Sequence, residues 1–507
     1  MRSGRTVAVL PFLLIAPMLL GVVAAPAHAA TGSPSLRVLA ATPHVTVVRP
    51  RHRVAFVDPG FFVSPVGGTF ELKLNRATLA DPVRLTQVWT DGTGEHTRIL
   101  PRTLLRGWNG LKDFFHVAVR NSAGRVVRRM TTDFCPNSQS PQRVKPTGPA
   151  EPSFPAFCGR TFSPFLLGSL WGIDHGWAVN PLSPGGSFFF GPGGFFGGGL
   201  RLRLPAGTYR VQFEIRRSYA RLFGVDPDQR TATIKLTLEN GKSSCCFGAP
   251  AGSADGTARG AGGWSRLPDV ADSSPPDPQY LPDLEATPAF DIRAQHARGG
   301  HDILAFASTE WVGGGSDLDV QGFRRHNSDV MDAYQYFFRD GQVVGRAPVG
   351  TLLFDDRPGH HHWHFQQFAR YRLLDSTQSL VVRSHKQSFC IAPSDPIDTT
   401  IPGATARPDF FGFLNACGTP TSLWVHEKMS LGWGDTYLQY VAGQAFDITD
   451  VPNGTYYVSI EVNPEHLLYE QSEANDATLR RVILRGTPGH RTACVPAVDG
   501  IDAEGNC

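Results

Sequence analysis

Residues 205–215 read PAGTYRVQFEI, and residues 452–462 read PNGTYYVSIEV. Each stretch opens with a Gly-containing turn and continues with apolar and polar residues in alternation. This two-residue period is typical of a strand with one buried face. It recurs at residues 69–74 and 115–119. We therefore predict a mainly β fold, in which the repeated turn and strand mark β-sandwich-like units in both halves of the chain.

The composition is that of a globular protein with many loops. The 507 residues include 54 glycines and 40 prolines, and only 18% are charged. A chain of this length suggests roughly three domains. The formal net charge of +3 does not indicate a nucleic-acid partner. Only seven of the 48 basic residues are lysine, a bias found in proteins of high-GC bacteria.

Changes in composition predict four segments. Residues 1–29 have two arginines, an apolar run and a final Ala-His-Ala, which predicts a secretory signal peptide. We thus expect a secreted, extracellular protein with no membrane span after cleavage. Residues 30–240 predict a β-rich region of one or two sandwich-like domains, and residues 241–277 a Gly/Ala/Ser/Pro-rich linker. Residues 278–507 predict a second β-rich domain with long loops.

The cysteines predict a disulfide framework, because exported chains oxidise their thiols. Six of the eight flank short loops, and we expect the pairs Cys135–Cys158, Cys390–Cys417 and Cys494–Cys507. A bridge of this size contributes roughly 2–4 kcal/mol to stability. The adjacent Cys245 and Cys246 are left unassigned, since a bridge between neighbours is strained.

A cluster of histidines occupies residues 359–365, which read GHHHWHF. In a β-strand, His360, His362 and His364 point to one face, while His361 and Trp363 point to the other. Three imidazoles on one face suit copper or zinc. Two alternatives are a solvated basic loop and a shifted register in which His361 replaces one ligand.

Other short motifs follow in the second half of the chain. They are Leu281-Pro-Asp-Leu284, His360-His-His-Trp-His364, Phe368-Ala-Arg-Tyr-Arg-Leu-Leu-Asp375, Ser384-His-Lys-Gln-Ser-Phe-Cys390, Gly434-Asp-Thr-Tyr437, Phe446-Asp-Ile-Thr-Asp-Val451, Gly454-Thr-Tyr-Tyr-Val458 and Val462-Asn-Pro-Glu465. In this order they resemble the catalytic domain of the lysyl oxidase family, copper amine oxidases with a lysine tyrosylquinone cofactor. The resemblance covers roughly the last 230 residues and none of the N-terminal half.

The resemblance implies a role for each matching residue. The three alternate histidines correspond to the copper ligands, and Lys386 and Tyr437 to the residues that join into the quinone. The implied reaction is the oxidative deamination of a primary amine, either peptidyl lysine or a small amine. Its products are an aldehyde, ammonia and hydrogen peroxide, and its oxidant is dioxygen. Asp355 and Asp356 are candidates for the base that removes a substrate proton, or else turn residues.

The resemblance also implies a structural calcium site. The matching positions are Asp283, the backbone carbonyl of Leu284, Glu470, Asn475 and Asp476. Carboxylates and carbonyls are the ligands that calcium prefers. Ser472 stands where the family has an acid, which removes one oxygen ligand. The alternative is an ordinary polar turn.

Two other functions compete with the oxidase hypothesis. One is a non-catalytic, copper-binding, β-rich surface protein, and the other is a copper enzyme that binds oxygen directly without a quinone. A structure with Lys386 and Tyr437 far from the metal and unlinked would favour either. An insertion near residues 394–413 lengthens the spacing between them. The sequence does not indicate the physiological amine, the role of the N-terminal half or the oligomeric state.

Overall fold

The computed structural model describes residues 32–49, 54–159, 162–182, 199–241, 270–297, 299–325, 328–355, 362–384, 386–408, 417–498 and 504–507. The described chain is mainly β, which confirms the predicted fold class. Its one α-helix, α1, spans Arg217–Leu222, and short 3₁₀ turns span Arg102–Leu104 and Pro278–Tyr280. The predicted signal peptide, most of the predicted linker, and Cys245 and Cys246 lie outside the described residues. No helix in the described ranges is long and apolar enough to cross a membrane.

The strands of the N-terminal half are short and mostly antiparallel. They are β1 (Ser35–Ala40), β2 (His44–Arg49), β3 (Ala55–Val57), β4 (Phe61–Val66), β5 (Phe70–Asn75), β6 (Arg84–Asp91), β7 (Gly94–Leu100), β8 (Leu111–Asn121), β9 (Val126–Phe134), β10 (Gln142–Arg143), β11 (Gly168–Ile173), β12 (Trp177–Ala178), β13 (Leu200–Leu202), β14 (Gly207–Ile215) and β15 (Thr231–Asn240). The two larger sheets have the orders β2-β15-β14-β8-β9 and β11-β5-β6-β7. Apolar residues of both sheets share one buried core, as in a sandwich.

The C-terminal half forms three further sheets. Its strands are β16 (Pro282–Ala286), β17 (Phe290–His296), β18 (Asp302–Gly314), β19 (Leu318–Arg324), β20 (Val330–Arg339), β21 (Gln342–Asp355), β22 (His362–Phe365), β23 (Ala369–Leu374), β24 (Leu380–Arg383), β25 (Asp395–Pro396), β26 (Trp424–Met429), β27 (Trp433–Tyr437), β28 (Ala445–Asp447), β29 (Gly454–Val462), β30 (Ala477–Arg485) and β31 (Thr492–Cys494). The sheet orders are β22-β21-β20-β19-β26, β16-β18-β27-β25 with β17 and β28 also on β18, and β24-β23-β29-β30-β31. Residues from all three sheets share a second buried core.

The repeated motif of the sequence has the same structure in both halves. Tyr209 donates its hydroxyl hydrogen to the Pro205 carbonyl at 2.9 Å, and Tyr456 does so to the Pro452 carbonyl at 2.8 Å. A tyrosine that binds the backbone a few residues upstream fixes the corner before a sandwich strand. The repeat is therefore architectural, as predicted.

The three predicted disulfides are all present and confirm the pairing. Cys135–Cys158, Cys390–Cys417 and Cys494–Cys507 bridge sequence separations of 23, 27 and 13 residues. The middle bridge spans the insertion that follows Lys386, so it ties the two ends of that segment together.

The insertion is also held by the N-terminal half. Asp395 accepts the backbone N–H of Phe162 at 2.7 Å, and Arg407 donates to the Phe154 carbonyl at 2.8 Å. Asp395 begins β25, which pairs with residues 433–434 of β27. Because β27 carries Tyr437, the N-terminal half buttresses the strand of a predicted site residue.

Candidate active site

Two of the predicted copper ligands lie on one face of β22. Their rings, those of His362 and His364, are 4.7 Å apart between centroids. Trp363 points the other way, is fully buried and donates its indole N–H to the Thr419 carbonyl at 2.9 Å. His360 and His361 lie outside the described residues. In the described part of the chain, no group of three or more His, Cys, Asp or Glu side chains is arranged to hold a metal ion.

His364 faces a carboxylate from the neighbouring strand. It is 1% exposed, and its Nδ1 lies 3.4 Å from Oδ2 of Asp355 at the end of β21. Metal-binding histidines commonly direct their second ring nitrogen to a carboxylate, which fixes the ring orientation. The donor set thus fits copper, with Asp355 as the group that orients His364. Asp356, the other acid considered from the sequence, lies outside the described residues.

Lys386 and Tyr437 are in contact although 50 residues of sequence separate them. The Lys386 Nζ atom lies 3.8 Å from the centroid of the Tyr437 ring, and Lys386 is 5% exposed. Gly443 makes this approach possible, because a Cβ atom there would lie 2.6 Å from that of Lys386. The Tyr437 hydroxyl accepts the backbone N–H of Cys390 at 3.2 Å. The Cys390–Cys417 bridge therefore anchors the backbone that orients the tyrosine.

An aromatic wall surrounds the pair. The Phe389 ring lies edge-on to Tyr437 with centroids 4.8 Å apart, and Lys386 Nζ is 4.6 Å from the Phe389 centroid. Phe389 in turn packs against Phe368 and Tyr371. Burial is the main reason why the pKa of Tyr437 lies well above its usual range, and the negative charge of Asp435 is the second. The phenol is thus neutral in this setting.

Three buried carboxyl groups lie around Lys386 and Tyr437. Glu310 on β18 is directly opposite Asp435 on β27, and Glu427 lies on β26. Burial raises the pKa of Glu310 to about 7, and burial with neighbouring carboxyls raises those of Asp435 and Glu427 well above the usual range. The positive charge of Lys386 opposes the shift at Glu310 and at Asp435. Like-charged acids in one dry pocket retain protons that isolated acids would release.

Each of these three acids has one carboxyl oxygen that makes no hydrogen bond within the described ranges. Glu310 Oε2, Glu427 Oε1 and Asp435 Oδ2 have no hydrogen-bond partner within the described ranges. The other Glu310 oxygen accepts the Tyr371 hydroxyl at 3.2 Å, which is also 2.7 Å from the Ser308 hydroxyl. One half of each carboxyl is therefore fixed, while the other half can accept or donate a proton.

The sequence did not point to Glu310 or Glu427. Glu310 lies in the run ILAFASTEWV of residues 303–312, where its apolar neighbours suggest a core strand. A charged residue amid such a run was the signal available, since acids are rarely fully buried. Asp435 was part of a quoted motif, but no role was assigned to it.

Two further histidines, His385 and His426, lie outside the histidine-bearing strand β22. His426 lies on β26. It is buried, and its Nε2 lies 2.7 Å from Asp319 Oδ2. His385 lies outside the described residues.

The predicted calcium ligands lie close together at the start of β16 and before β30. Asn475 donates to Asp283 at 2.9 Å, and Glu470 accepts the backbone N–H of Leu284 at 3.0 Å. Burial raises the pKa of Glu470 to about 8 and that of Asp476 to about 7. The buried oxygens Asp283 Oδ1, Asn475 Oδ1 and Asp476 Oδ1 have no hydrogen-bond partner among the described residues. The chemistry of this donor set suits calcium, although the side chains do not form a ready metal cage in this structure.

Comparison with known proteins agrees with the resemblance. Residues 353–494 match the family model for lysyl oxidase. The chain is 32% identical to protein-lysine 6-oxidase of Sus scrofa over 139 residues, which is 27% of this chain and 49% of that protein. It is also 32% identical to lysyl oxidase homolog 1 of Homo sapiens over 232 residues, 45% of this chain and 35% of that protein.

These matches leave much of each protein uncompared. The chain spans less than half the length of the curated relatives it matches, for example 29% of the protein-lysine 6-oxidase of Rattus norvegicus. The matched segment nevertheless contains His362, His364, Lys386 and Tyr437, the described residues that the motifs singled out. In its segment 353–494, this chain is therefore similar to the lysyl oxidase family.

Proposed function

We propose that this protein oxidises primary amines in a copper-dependent reaction, with a cofactor made from Lys386 and Tyr437. The observation that carries the proposal is the approach of Lys386 Nζ to within 3.8 Å of the Tyr437 ring centroid, in a buried aromatic pocket. Lysine side chains are rarely fully buried unless they are paired with another group. Here the buried Lys386 contacts the ring of Tyr437, the residue to which it would be joined in the proposed cofactor.

His360, His362 and His364 are the proposed copper ligands. Asp355 holds His364 in orientation, as described above. Copper held by these residues would, with dioxygen as oxidant, supply the oxidation of Tyr437 that allows its joining to Lys386, and the resulting cofactor would supply a two-electron acceptor for the amine. The histidines suit this metal because imidazole is a good ligand for Cu(II).

Asp435 and Glu310 are the proposed proton acceptors around the pair. Lysine must lose a proton before its nitrogen can form a bond, and these acids are near enough for Lys386 to alter their pKa. Asp435 is two residues before Tyr437 on the same strand, so both side chains point to one face. We therefore assign Asp435 the removal of the proton from the amine-bearing carbon of the substrate, with Glu310 sharing the charge.

The aromatic wall keeps water from the reacting atoms. Phe389 and Tyr371 are fully buried, and they separate Lys386 from the core beneath. Exclusion of water strengthens the electrostatic interactions within the pocket. It also protects an electrophilic carbonyl from solvent.

The proposed substrate is a primary amine on an unbranched carbon chain, either a lysine side chain of a protein or a small amine. Support comes from the names of the relatives, two of which are protein-lysine 6-oxidases. The products would be an aldehyde, ammonia and hydrogen peroxide. We also propose that the protein works outside the cell, where dioxygen and extracellular protein lysines are available.

The proposal is tested with the full chain, expressed without copper and then loaded with Cu(II) in air. A lysine-containing peptide, a linear diamine and a monoamine are supplied separately, and peroxide and aldehyde are measured. We expect both products in equal amounts with at least one amine, and a Lys386–Tyr437 cross-linked peptide in the mass spectrum. A cross-linked protein that releases no peroxide with any primary amine would overturn the proposal.

A further inference from the structure

A row of basic residues crosses the outer face of the N-terminal five-stranded sheet. Arg120 on β8 is opposite Arg210 on β14, Arg210 is opposite Lys235 on β15, and Lys235 is beside His44 on β2. Directly paired residues in a sheet point to the same face. Four basic side chains on four adjacent strands therefore form one line, which we call the basic row. At a strand spacing of about 4.8 Å it is roughly 14 Å long.

The basic row is open to solvent. Arg210, Lys235 and His44 are exposed, and Arg120 is half-buried with its guanidinium donating to the Gly124 carbonyl at 3.1 Å. A depression of about 520 Å³ lies along the row and is lined by Arg120, Arg210 and Lys235. Arg129 on β9 extends the positive face, since it is opposite Ala118.

No carboxylate of the described chain neutralises the row. Within the described ranges, no salt bridge involves Arg120, Arg210 or Lys235, whereas Glu214 further along β14 is paired with Arg230 at 3.1 Å. Like charges directly opposite each other destabilise a sheet. The formal net charge of the whole chain is only +3, so this concentration of positive charge is local. An external anion would relieve the repulsion.

The chemistry of the depression favours one class of anion. Its other lining residues include the hydroxyl and amide groups of Asn121, Ser122, Thr208 and Thr233. These groups can hydrogen-bond the hydroxyls of sugars. Among the described lining residues the one aromatic, Tyr209, is buried, so this lining offers no exposed ring on which nucleic-acid bases could stack. It also lacks the large apolar side chains that anchor a protein in a lipid surface.

We propose that the basic row binds an anionic polysaccharide, a linear sugar chain with sulfate or carboxylate groups, laid across the strands β8, β14, β15 and β2. The basic row lies in the N-terminal half, whereas the proposed amine oxidase site lies in the C-terminal half, which has its own buried core. It would keep the protein on an extracellular matrix or envelope while the C-terminal half works. The resemblance to the lysyl oxidase family does not involve these residues.

The test measures binding of the full chain to immobilised heparin and to dextran sulfate, with neutral dextran as the blank. The variant Arg210→Glu with Lys235→Glu should raise the Kd for both polyanions at least tenfold. The control variant Arg481→Glu with Arg485→Glu changes the net charge equally, at exposed positions of β30 in the C-terminal half. It should change the Kd less than twofold. Equal losses in both variants, or no binding by the unmodified protein, would overturn the proposal.

Two further arms distinguish the class of anion. A DNA duplex and vesicles containing phosphatidylglycerol are measured at the same ionic strength, because exposed charges are screened by salt. Binding of either with an equal or lower Kd than heparin, lost in the Arg210/Lys235 variant, would contradict the polysaccharide assignment. The neutral variant Arg210→Gln with Lys235→Gln replaces the reversed charges if the first variant does not fold, and the same tenfold criterion applies.

Discussion

The Lys386 amino group lies over the Tyr437 ring, 3.8 Å from its centroid. The insertion between these residues does not hold them apart, because the Cys390–Cys417 bridge and the N-terminal half fold it back onto β27. This contact supports the proposed cross-link between the two side chains.

The first prediction separates metal binding from cofactor formation. Lys386→Ala and Tyr437→Phe should retain copper but lose amine-dependent peroxide release by at least a thousandfold, since each removes one half of the cofactor. His362→Ala should lose both copper and activity. Copper content by elemental analysis and peroxide release by a coupled assay provide the measurements. Tyr440→Phe, at a tyrosine that is 76% exposed three residues away, is the control and should remain active. Full activity in Tyr437→Phe would refute the assignment.

The second prediction concerns Asp435. Asp435→Asn keeps the size of the side chain but removes the proton acceptor, so kcat should fall about a hundredfold or more. Removal of the substrate proton should become rate-limiting, which would increase the rate difference between normal substrate and substrate deuterated at the amine-bearing carbon. Asp435→Glu should recover part of kcat.

The control for Asp435 is Asp450→Asn, at an exposed position outside the pocket. The amount of cross-linked Lys386–Tyr437 peptide is measured in every variant, because a loss of cofactor would also reduce kcat. An Asp435→Asn enzyme with normal cofactor, normal kcat and an unchanged isotope effect would show that another group takes the proton.

The third prediction concerns the pH dependence of stability. Burial raises the pKa of Glu310 from 4.5 to about 7 in the folded chain, so folding favours its protonated form. This contribution to stability is complete below pH 4.5 and is lost as the pH rises through 7. The free energy of unfolding of the copper-free protein should therefore fall by about 3 kcal/mol over that window because of Glu310.

Glu310→Gln should remove this part of the pH dependence. Urea unfolding at several pH values between 4.5 and 8 measures the slope for both proteins. Glu239→Gln, at an exposed position on β15, should leave the slope unchanged. Parallel curves for the unmodified protein and Glu310→Gln would mean that Glu310 does not titrate in this range.

The sequence predicted those features that depend on local patterns. Alternation placed the strands that end at Ile215 and Val462, and the short loops between cysteines gave all three disulfides. The electrostatic influence of Lys386 on Glu310 and Asp435 depends on how the loop after β24 packs against β18 and β27, and no local pattern encodes that packing. The support of Asp395 by the N-terminal half is likewise long-range, because Asp395 and Phe162 are 233 residues apart.

The fourth prediction compares two disulfides. Replacement of both cysteines by alanine at Cys390–Cys417 or at Cys494–Cys507 should lower stability by roughly 2–4 kcal/mol. Only the first pair should also lower activity, because the Cys390 backbone binds the Tyr437 hydroxyl at 3.2 Å. Thermal unfolding and peroxide release per copper test both parts. Equal loss of activity in the two double variants would indicate a general effect of stability instead.

The last prediction concerns calcium. Asp283, Asn475 and Asp476 each direct a buried oxygen into the cluster with no hydrogen-bond partner among the described residues, and Glu470 adds a carboxylate beside Leu284. A divalent cation would satisfy these oxygens and reduce the repulsion among the acids. Calcium at about 100 times its Kd should stabilise the folded chain by about 2.7 kcal/mol, so the chelated protein should melt several degrees lower.

Asp476→Asn should lose this response. Ser472→Asp, which restores the acid that the family has at this position, should tighten calcium binding in calorimetry. If calcium gives no binding heat and chelation leaves the melting temperature unchanged, the cluster is an ordinary polar turn.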